Sequence, residues 1–195
     1  MKNILFVGNS YTYYNDMPNA IFAKIAREAG IDVSVTAVTK GGYYLSKFAD
    51  PENEEGMRLR ETVKGQSYDC VILQDQSLNP VKNESAFIES VGKMKELLSP
   101  NAQRFVLYAT WGRKEGSPQL SELGLDTEGM TRALSKAYRK AGELFGMDVA
   151  YVGDEFLRYR AEHPDEDLYN PDLSHPSELG SRVAAMTIFS TVFNK

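Results

Sequence analysis

Residues 1–17 read MKNILFVGNSYTYYNDM, and they decide the fold because they join a buried strand to a turn that carries a serine. The apolar run at residues 4–7 has no helical period and stops at Gly8, which is typical of a strand buried on both faces of a parallel sheet. Ser10 follows at once, and Asp16 and Pro18 predict a helix start, with Asp16 as its N-cap. Ligands bind at the carboxyl edge of open α/β sheets, so we expect Ser10 to lie beside the functional crevice.

The rest of the chain repeats this alternation of strand and helix patterns. Further strands are predicted at residues 31–38, 69–73, 104–109 and 148–152. Helices are predicted at residues 17–30, 80–98, 126–145, 153–162 and 176–193, with one or two short ones in 43–64, and long loops at 113–125 and 163–175. Five strands alternating with helices predict one α/β domain over residues 1–195, a doubly wound three-layer α/β/α fold around a five-stranded parallel sheet.

The composition excludes several classes of function. A net charge of -5 without a Lys/Arg cluster argues against a nucleic-acid partner. Cys70 is the one cysteine and lies in an apolar run, so no internal disulfide is expected. With His163 and His175 as its two histidines, the chain has too few ligands for a His/Cys zinc site, and we predict no metal and no cofactor.

The sequence also bears on location. No apolar run is long enough to span a bilayer, so we expect no membrane partner. The run after Lys2 is too short for a secretory leader, which predicts a cytoplasmic protein for the sequence as it stands. A periplasmic or secreted location would follow if a leader had been removed.

Polar residues follow several predicted strands at the edge where the sheet should bind ligands. A serine nucleophile needs a base within hydrogen-bond reach and a carboxylate that orients the base. His175 is the candidate base, and Asp172, three residues earlier in the same loop, can reach its ring. A tetrahedral oxyanion also needs donors. The backbone N–H of Ser10, the N–H of Gly41 or Gly42, and the side-chain amide of Gln76 are candidates.

These residues carry a resemblance to a known family. G-N-S-Y-T at residues 8–12 resembles the first block of the SGNH (GDSL-like) hydrolases, usually G-D-S, and D-L-S-H-P at residues 172–176 matches their D-x-x-H-P block. Gly41 and Gly42 fall where that family places its oxyanion glycine. The stretches GNSYTYYNDMP and LQDQS are similar to a bacterial branch of the superfamily. The resemblance implies a flavodoxin-like SGNH fold and a cofactor-free serine esterase with Ser10, His175 and Asp172 as triad.

Two positions depart from the family pattern. Asn9 replaces the usual aspartate, and the third block, normally G-x-N-D, reads Q-D-Q-S at residues 74–77. In that register Gln76 takes the place of the oxyanion asparagine, on a longer arm, and Gln74 is the alternative donor. The full set of candidates for substrate contact is Asn9, Tyr11, Gly41, Gln74 and Trp111.

The expected function is hydrolysis of a small-molecule ester, with an acylated carbohydrate as the substrate that the resemblance implies. Two alternatives stay open: a non-catalytic module that binds a glycan or another ligand on the same scaffold, and an acyltransferase with the same triad. Each feature also has a purely structural interpretation. Ser10 could cap a turn, Asp172 could cap a helix, and Trp111 could pack in the core.

Overall fold

The computed structural model describes residues 1–193. Its strands are β1 (Lys2–Gly8), β2 (Val33–Thr39), β3 (Cys70–Leu73), β4 (Phe105–Ala109) and β5 (Asp148–Tyr151). Its α-helices are α1 (Ser10–Tyr13), α2 (Ala23–Glu28), α3 (Leu45–Ala49), α4 (Glu54–Val63), α5 (Asn79–Lys82), α6 (Glu84–Leu98), α7 (Pro118–Leu123), α8 (Thr127–Phe145), α9 (Val152–Glu162) and α10 (Glu178–Phe193). Short 3₁₀ turns cover Tyr14–Asp16 and Ser99–Asn101, and a π-helix covers Met17–Phe22.

The five strands form one parallel sheet in the order β2-β1-β3-β4-β5. This confirms the predicted three-layer α/β/α architecture. The chain passes from β1 to β2 on one side and then returns to place β3 on the other side, so the strand order reverses at β1. Such a switch point opens a crevice at the carboxyl ends of the flanking strands. Gly8 lies opposite Thr39 and Val7 opposite Leu73, so the segments after all three strands start at one edge.

Strand β1 is buried on both faces, as its apolar run predicts. Ile4 and Phe6 belong to a core with α2, α9 and α10, whereas Leu5 and Val7 belong to a second core with α3, α4, α6 and α8. All four side chains have no exposed surface. Burial on both faces anchors the strand that carries Ser10 at its end.

The predicted helix over residues 17–30 is wrong in detail, because its first part is π-helical and Asp16 does not cap it. Asp16 adopts a left-handed conformation (φ 48°), and its carboxylate accepts a hydrogen bond from the Asn19 side chain at 2.8 Å. The helical turn of α1 has already begun at Ser10, so the chain must reverse at Asn15 and Asp16 before the next helix starts.

Two further predictions differ from the structure. Residues 113–125 contain helix α7, which has Pro118 in its first turn and ends at a left-handed Gly124. Leu120 of this helix packs with Met130 and Leu134, so tertiary contact stabilises a stretch whose own pattern is polar. The predicted helix 80–98 is divided at Asn83 into α5 and α6. Within residues 1–193, no helix combines the length and apolarity that crossing a membrane requires.

Candidate active site

Ser10 is the first residue of α1 and lies two residues beyond Gly8, where β1 ends. Asn9 caps this helix, because its Oδ1 accepts a hydrogen bond from the backbone N–H of Tyr11 at 3.1 Å. Gly8 is required by close packing. A Cβ at this position would lie 2.4 Å from Thr12 Oγ1 and 2.7 Å from Gln74 Oε1. The chain can therefore turn from strand to helix here with Ser10 at the edge of the crevice.

Ser10, His175 and Asp172 form a continuous chain of hydrogen bonds. Ser10 Oγ lies 2.9 Å from His175 Nε2, and His175 Nδ1 lies 2.5 Å from Asp172 Oδ2. Leu173, the residue after Asp172, adopts a left-handed conformation (φ 62°). The Asp172 side chain bonds to the residues that follow Leu173. Asp172 Oδ1 accepts hydrogen bonds from the backbone N–H of Ser174 at 3.0 Å and of His175 at 2.9 Å.

The charge of Asp172 is favoured by these bonds. Burial is the largest single influence and acts to raise its pKa, but the hydrogen bonds from the His175 ring and from two backbone N–H groups together lower the pKa below its ordinary value. The carboxylate therefore stays ionised and accepts from His175 Nδ1, which leaves Nε2 unprotonated and facing Ser10 when the imidazole is neutral.

Two tyrosines contact the His175 ring. The Tyr14 ring stacks on it with centroids 4.2 Å apart and an interplanar angle of 10°, and the Tyr11 ring meets it edge-on at 5.6 Å. Tyr11 also stacks on Trp111, and its hydroxyl lies 3.0 Å from Ser174 Oγ. These contacts restrict the imidazole to an orientation that faces Ser10.

The loop between β2 and α3 lies beside Ser10. Lys40 N–H donates to the Gly8 carbonyl at 3.2 Å, and Asn9 Nδ2 donates to the Tyr43 carbonyl at 3.0 Å. Gly42 is exposed in this loop with φ 71°, a conformation that favours glycine. Among residues 1–193, no group accepts a hydrogen bond from the backbone N–H of Ser10 or of Gly42. Both donors are therefore available at this edge.

The two glutamines of the third block have different environments. Gln74 is buried, its Oε1 accepts from Asn9 N–H at 2.8 Å and from Thr12 Oγ1 at 2.9 Å, and its Nε2 donates to the Asp75 carbonyl. Gln76 is half-buried, and its Oε1 accepts from the N–H groups of Leu78 at 2.8 Å and Asn79 at 3.1 Å. In the described chain its Nε2 has no acceptor. Both the oxygen and the nitrogen of the Gln74 amide are bonded within the protein, whereas the nitrogen of the Gln76 amide has no protein acceptor in residues 1–193.

Four of the five candidates for substrate contact have buried side chains: Asn9, Tyr11, Gln74 and Trp111. Trp111 stacks on Phe156 at 4.2 Å, and its Nε1 donates to the Ser174 carbonyl at 3.0 Å. In this structure these four side chains are therefore packed in the protein interior beneath the site and do not face solvent. Gly41 is the exposed member, and a Cβ added to it would lie 3.0 Å from the Tyr13 hydroxyl.

Sequence reasoning missed two buried charged residues at this end of the sheet, Asp75 and Arg113. Asp75 accepts hydrogen bonds from Leu45 N–H and Asn79 Nδ2, both at 2.7 Å, and burial raises the pKa of its carboxyl despite these bonds. Arg113 contacts Tyr11 and Ser77. Both lie in polar stretches with no periodic pattern, so the sequence carries no signal of their burial. Over residues 1–193, no group of three His, Cys, Asp or Glu side chains is arranged to hold a metal ion.

The fold is shared with known hydrolases. No family model and no curated protein matches the chain. Among solved structures, an acetyl xylan esterase, AlAXEase, is 16% identical with a TM-score of 0.73 over 98% of this chain and 100% of that one. TesA is 12% identical with a TM-score of 0.70 over 98% of each chain. At this identity the two comparisons show the fold alone.

A third solved structure is related in sequence as well. It is a protein from Slackia heliotrinireducens that is described as an SGNH hydrolase, and it superposes with a TM-score of 0.82. It is 30% identical over 97% of this chain and 98% of its own. On that identity along almost the full length, the present chain belongs to the SGNH hydrolase superfamily.

Proposed function

We propose that this protein is a serine ester hydrolase with Ser10 as the nucleophile. The observation that carries the proposal is the hydrogen-bonded chain from Ser10 Oγ through the His175 ring to the Asp172 carboxylate. A base in contact with a hydroxyl, itself oriented by a carboxylate, is the arrangement that activates serine. The superfamily and its esterase neighbours support the same class of reaction.

The reaction follows from this geometry. Ser10 Oγ attacks the ester carbonyl while His175 Nε2 takes the hydroxyl proton, and Asp172 stabilises the resulting imidazolium. The tetrahedral intermediate expels the alcohol, which receives that proton from His175. Water then attacks the acyl-enzyme in the same way, and the carboxylic acid and free Ser10 are released.

The oxyanion is proposed to be held by the backbone N–H of Ser10, the backbone N–H of Gly42 and Nε2 of Gln76. Each of these three donors lacks a protein acceptor in residues 1–193, which supports their availability to a ligand. Since Gln76 Oε1 is held by two backbone N–H groups, its longer arm is restrained. Because its arm is restrained, glutamine can take the place that asparagine has in the family pattern.

The proposed substrate is a small ester, with an acylated carbohydrate as the favoured class. Tyr13 and Tyr44 support the carbohydrate class. They are 40% and 39% exposed, and they are the exposed large aromatic side chains of residues 1–193. Tyr13 ends the helix that begins at Ser10, and Tyr44 follows Gly42 by two residues. Exposed aromatic faces beside a reaction centre suit the apolar face of a sugar ring.

Labelling with a fluorophosphonate tests the nucleophile without a choice of substrate. The Ser10 oxygen should displace fluoride from phosphorus, and mass spectrometry should locate the adduct on Ser10 in the wild type. Ser10→Ala and His175→Ala, checked for folding by circular dichroism, should not be labelled. A folded wild type that resists the probe would favour the ligand-binding module. Products of a turnover assay with an added alcohol would separate hydrolysis from acyl transfer.

Paired substrates test the carbohydrate class. Tyr13→Ala and Tyr44→Ala should each raise KM for an acetylated xylo-oligosaccharide by about 2- to 10-fold, because each removes one stacking face. Neither should change kcat/KM for p-nitrophenyl acetate. Tyr13→Phe keeps the ring and should behave as wild type, and Leu144→Ala removes an exposed apolar side chain from α8 as a control. Equal effects on both substrates would contradict a sugar-binding role.

A further inference from the structure

Arg113 is a buried cation without a neutralising partner. Arg113 is 8% exposed, and the hydrogen-bond partners of its guanidinium among residues 1–193 are the Tyr11 and Ser77 hydroxyls, neither of which is a carboxylate. Its Nε is buried without a hydrogen-bond partner. Burying an unpaired charge is unfavourable, so cores seldom retain one unless it serves another purpose.

One end of the guanidinium is bound to the nucleophile helix and, through it, to the histidine loop. Arg113 Nη1 donates to the hydroxyl of Tyr11, the residue after Ser10, and the guanidinium carbon lies 5.3 Å from the centre of the Tyr11 ring. The same hydroxyl contacts Ser174 Oγ at 3.0 Å, next to His175. Arg113 is thus one hydrogen bond from the Ser10 segment and two from the segment that carries the base.

The other end is bound to the third block. Arg113 Nη2 donates to Ser77 Oγ at 2.9 Å, and Ser77 follows Gln76 directly. The backbone of Arg113 is itself held, because its carbonyl accepts from Thr127 Oγ1 at 2.6 Å at the start of α8. The rigid, planar guanidinium therefore connects the loop after β3 with the helix after β1. The backbone that carries it is fixed in the segment after β4.

We propose that Arg113 is a positioning residue that sets the Gln76 segment at the correct distance from Ser10 and His175, and that its unpaired charge is retained for this purpose at a cost in stability. The proposal rests on the proposed function. Misplacement of reacting groups by about 1 Å can lower rates about 100-fold, so loss of this connection should affect turnover strongly.

Arg113→Met tests it, because methionine fills similar space without charge or hydrogen bonds. We expect kcat for p-nitrophenyl acetate to fall roughly 10- to 100-fold with a smaller change in KM. The thermal midpoint should stay within about 4 °C of wild type or rise, since the unpaired cation is gone. Arg104→Met is the matched control. Arg104 pairs with Asp148 at the opposite edge of the sheet, so this variant should lose stability and keep kcat.

The outcomes separate the two proposals. A wild type that neither hydrolyses the ester nor reacts with a fluorophosphonate would overturn the proposed function and this inference together. An active wild type whose Arg113→Met variant melts lower but keeps kcat per folded molecule would overturn this inference alone. If Arg113→Met does not fold, Ser77→Ala decides: a lowered kcat supports the connection through Ser77, and an unchanged kcat overturns it.

Discussion

Gln74 and Gln76 carry the same side chain two positions apart, yet their hydrogen bonds give them different tasks. Gln74 joins the third block to Asn9 and Thr12 through buried bonds. Gln76 keeps its amide nitrogen available while its oxygen is held by the backbone of the following turn. At the scale of a residue, the bonding partners rather than the residue type separate a structural amide from a candidate catalytic one.

Replacing each glutamine by alanine should separate these tasks. Gln76→Ala should lower kcat by roughly 10- to 1000-fold with little change in stability, because an oxyanion donor acts mainly in the transition state. Gln74→Ala should lower the free energy of unfolding by about 1–3 kcal/mol, because it leaves the Asn9 N–H and the Thr12 hydroxyl buried without an acceptor. Steady-state kinetics and urea denaturation measure the two effects. An unchanged kcat in Gln76→Ala would show that the backbone N–H groups hold the oxyanion without Gln76.

At the scale of the element, the turn from β1 to α1 places Ser10, and Gly8 makes that turn possible. Thr12 of α1 and Gln74, which follows β3, occupy the space that a Cβ on Gly8 would need. A side chain here would have to separate the helix from the third block. Gly8 does not have a positive φ, so a left-handed backbone is not the reason for glycine here. The glycine of the G-N-S sequence is needed for close packing.

Gly8→Ala should lower both stability and activity. The added methyl group overlaps two buried, mutually bonded side chains, so we expect a loss of about 1–3 kcal/mol in the free energy of unfolding. The displaced helix should also lower kcat per folded molecule. Gly142→Ala is a matched control, because its Cβ would press on Val149 and Met147 away from the site. It should leave kcat unchanged. Full activity in Gly8→Ala would show that Ser10 tolerates a shift of α1.

At the scale of the whole molecule, buried polar bonds connect the segments that the sheet brings to one edge. Asp75 connects the starts of α3 and α5 through Leu45 and Asn79, and its own N–H donates to the Tyr138 hydroxyl of α8 at 3.1 Å. Two helices thus meet at the Asp75 carboxylate, and a third meets its backbone N–H. Burial raises the pKa of this carboxyl, so the connection depends on pH.

The stability contribution of Asp75 should change with pH in a defined direction. Its pKa is higher in the folded than in the unfolded chain, so the folded state retains a proton that the unfolded state has released. The contribution is therefore most favourable below the unfolded value of about 3.9 and declines as pH rises through the folded pKa. Urea denaturation from pH 4.5 to 7 should show wild type losing stability relative to Asp75→Asn as pH rises.

Asp172 provides the control with the opposite sign. Its pKa is lowered in the folded state, so its favourable contribution is present above the unfolded pKa and is lost as pH falls through the folded pKa. Wild type should therefore lose stability relative to Asp172→Asn toward acid pH. Parallel curves for wild type and Asp75→Asn at every pH would contradict the assignment of a raised pKa to Asp75.

The sequence by itself determined the fold class, because each strand is a short apolar run followed by a turn. It also determined the family, because the blocks around Ser10 and His175 are local in the chain. Tertiary structure alone decided which glutamine keeps a donor available, that α7 forms, and that Arg113 and Asp75 are buried. These features depend on contacts between segments far apart in sequence, and local patterns of polarity do not record which distant group will be the partner.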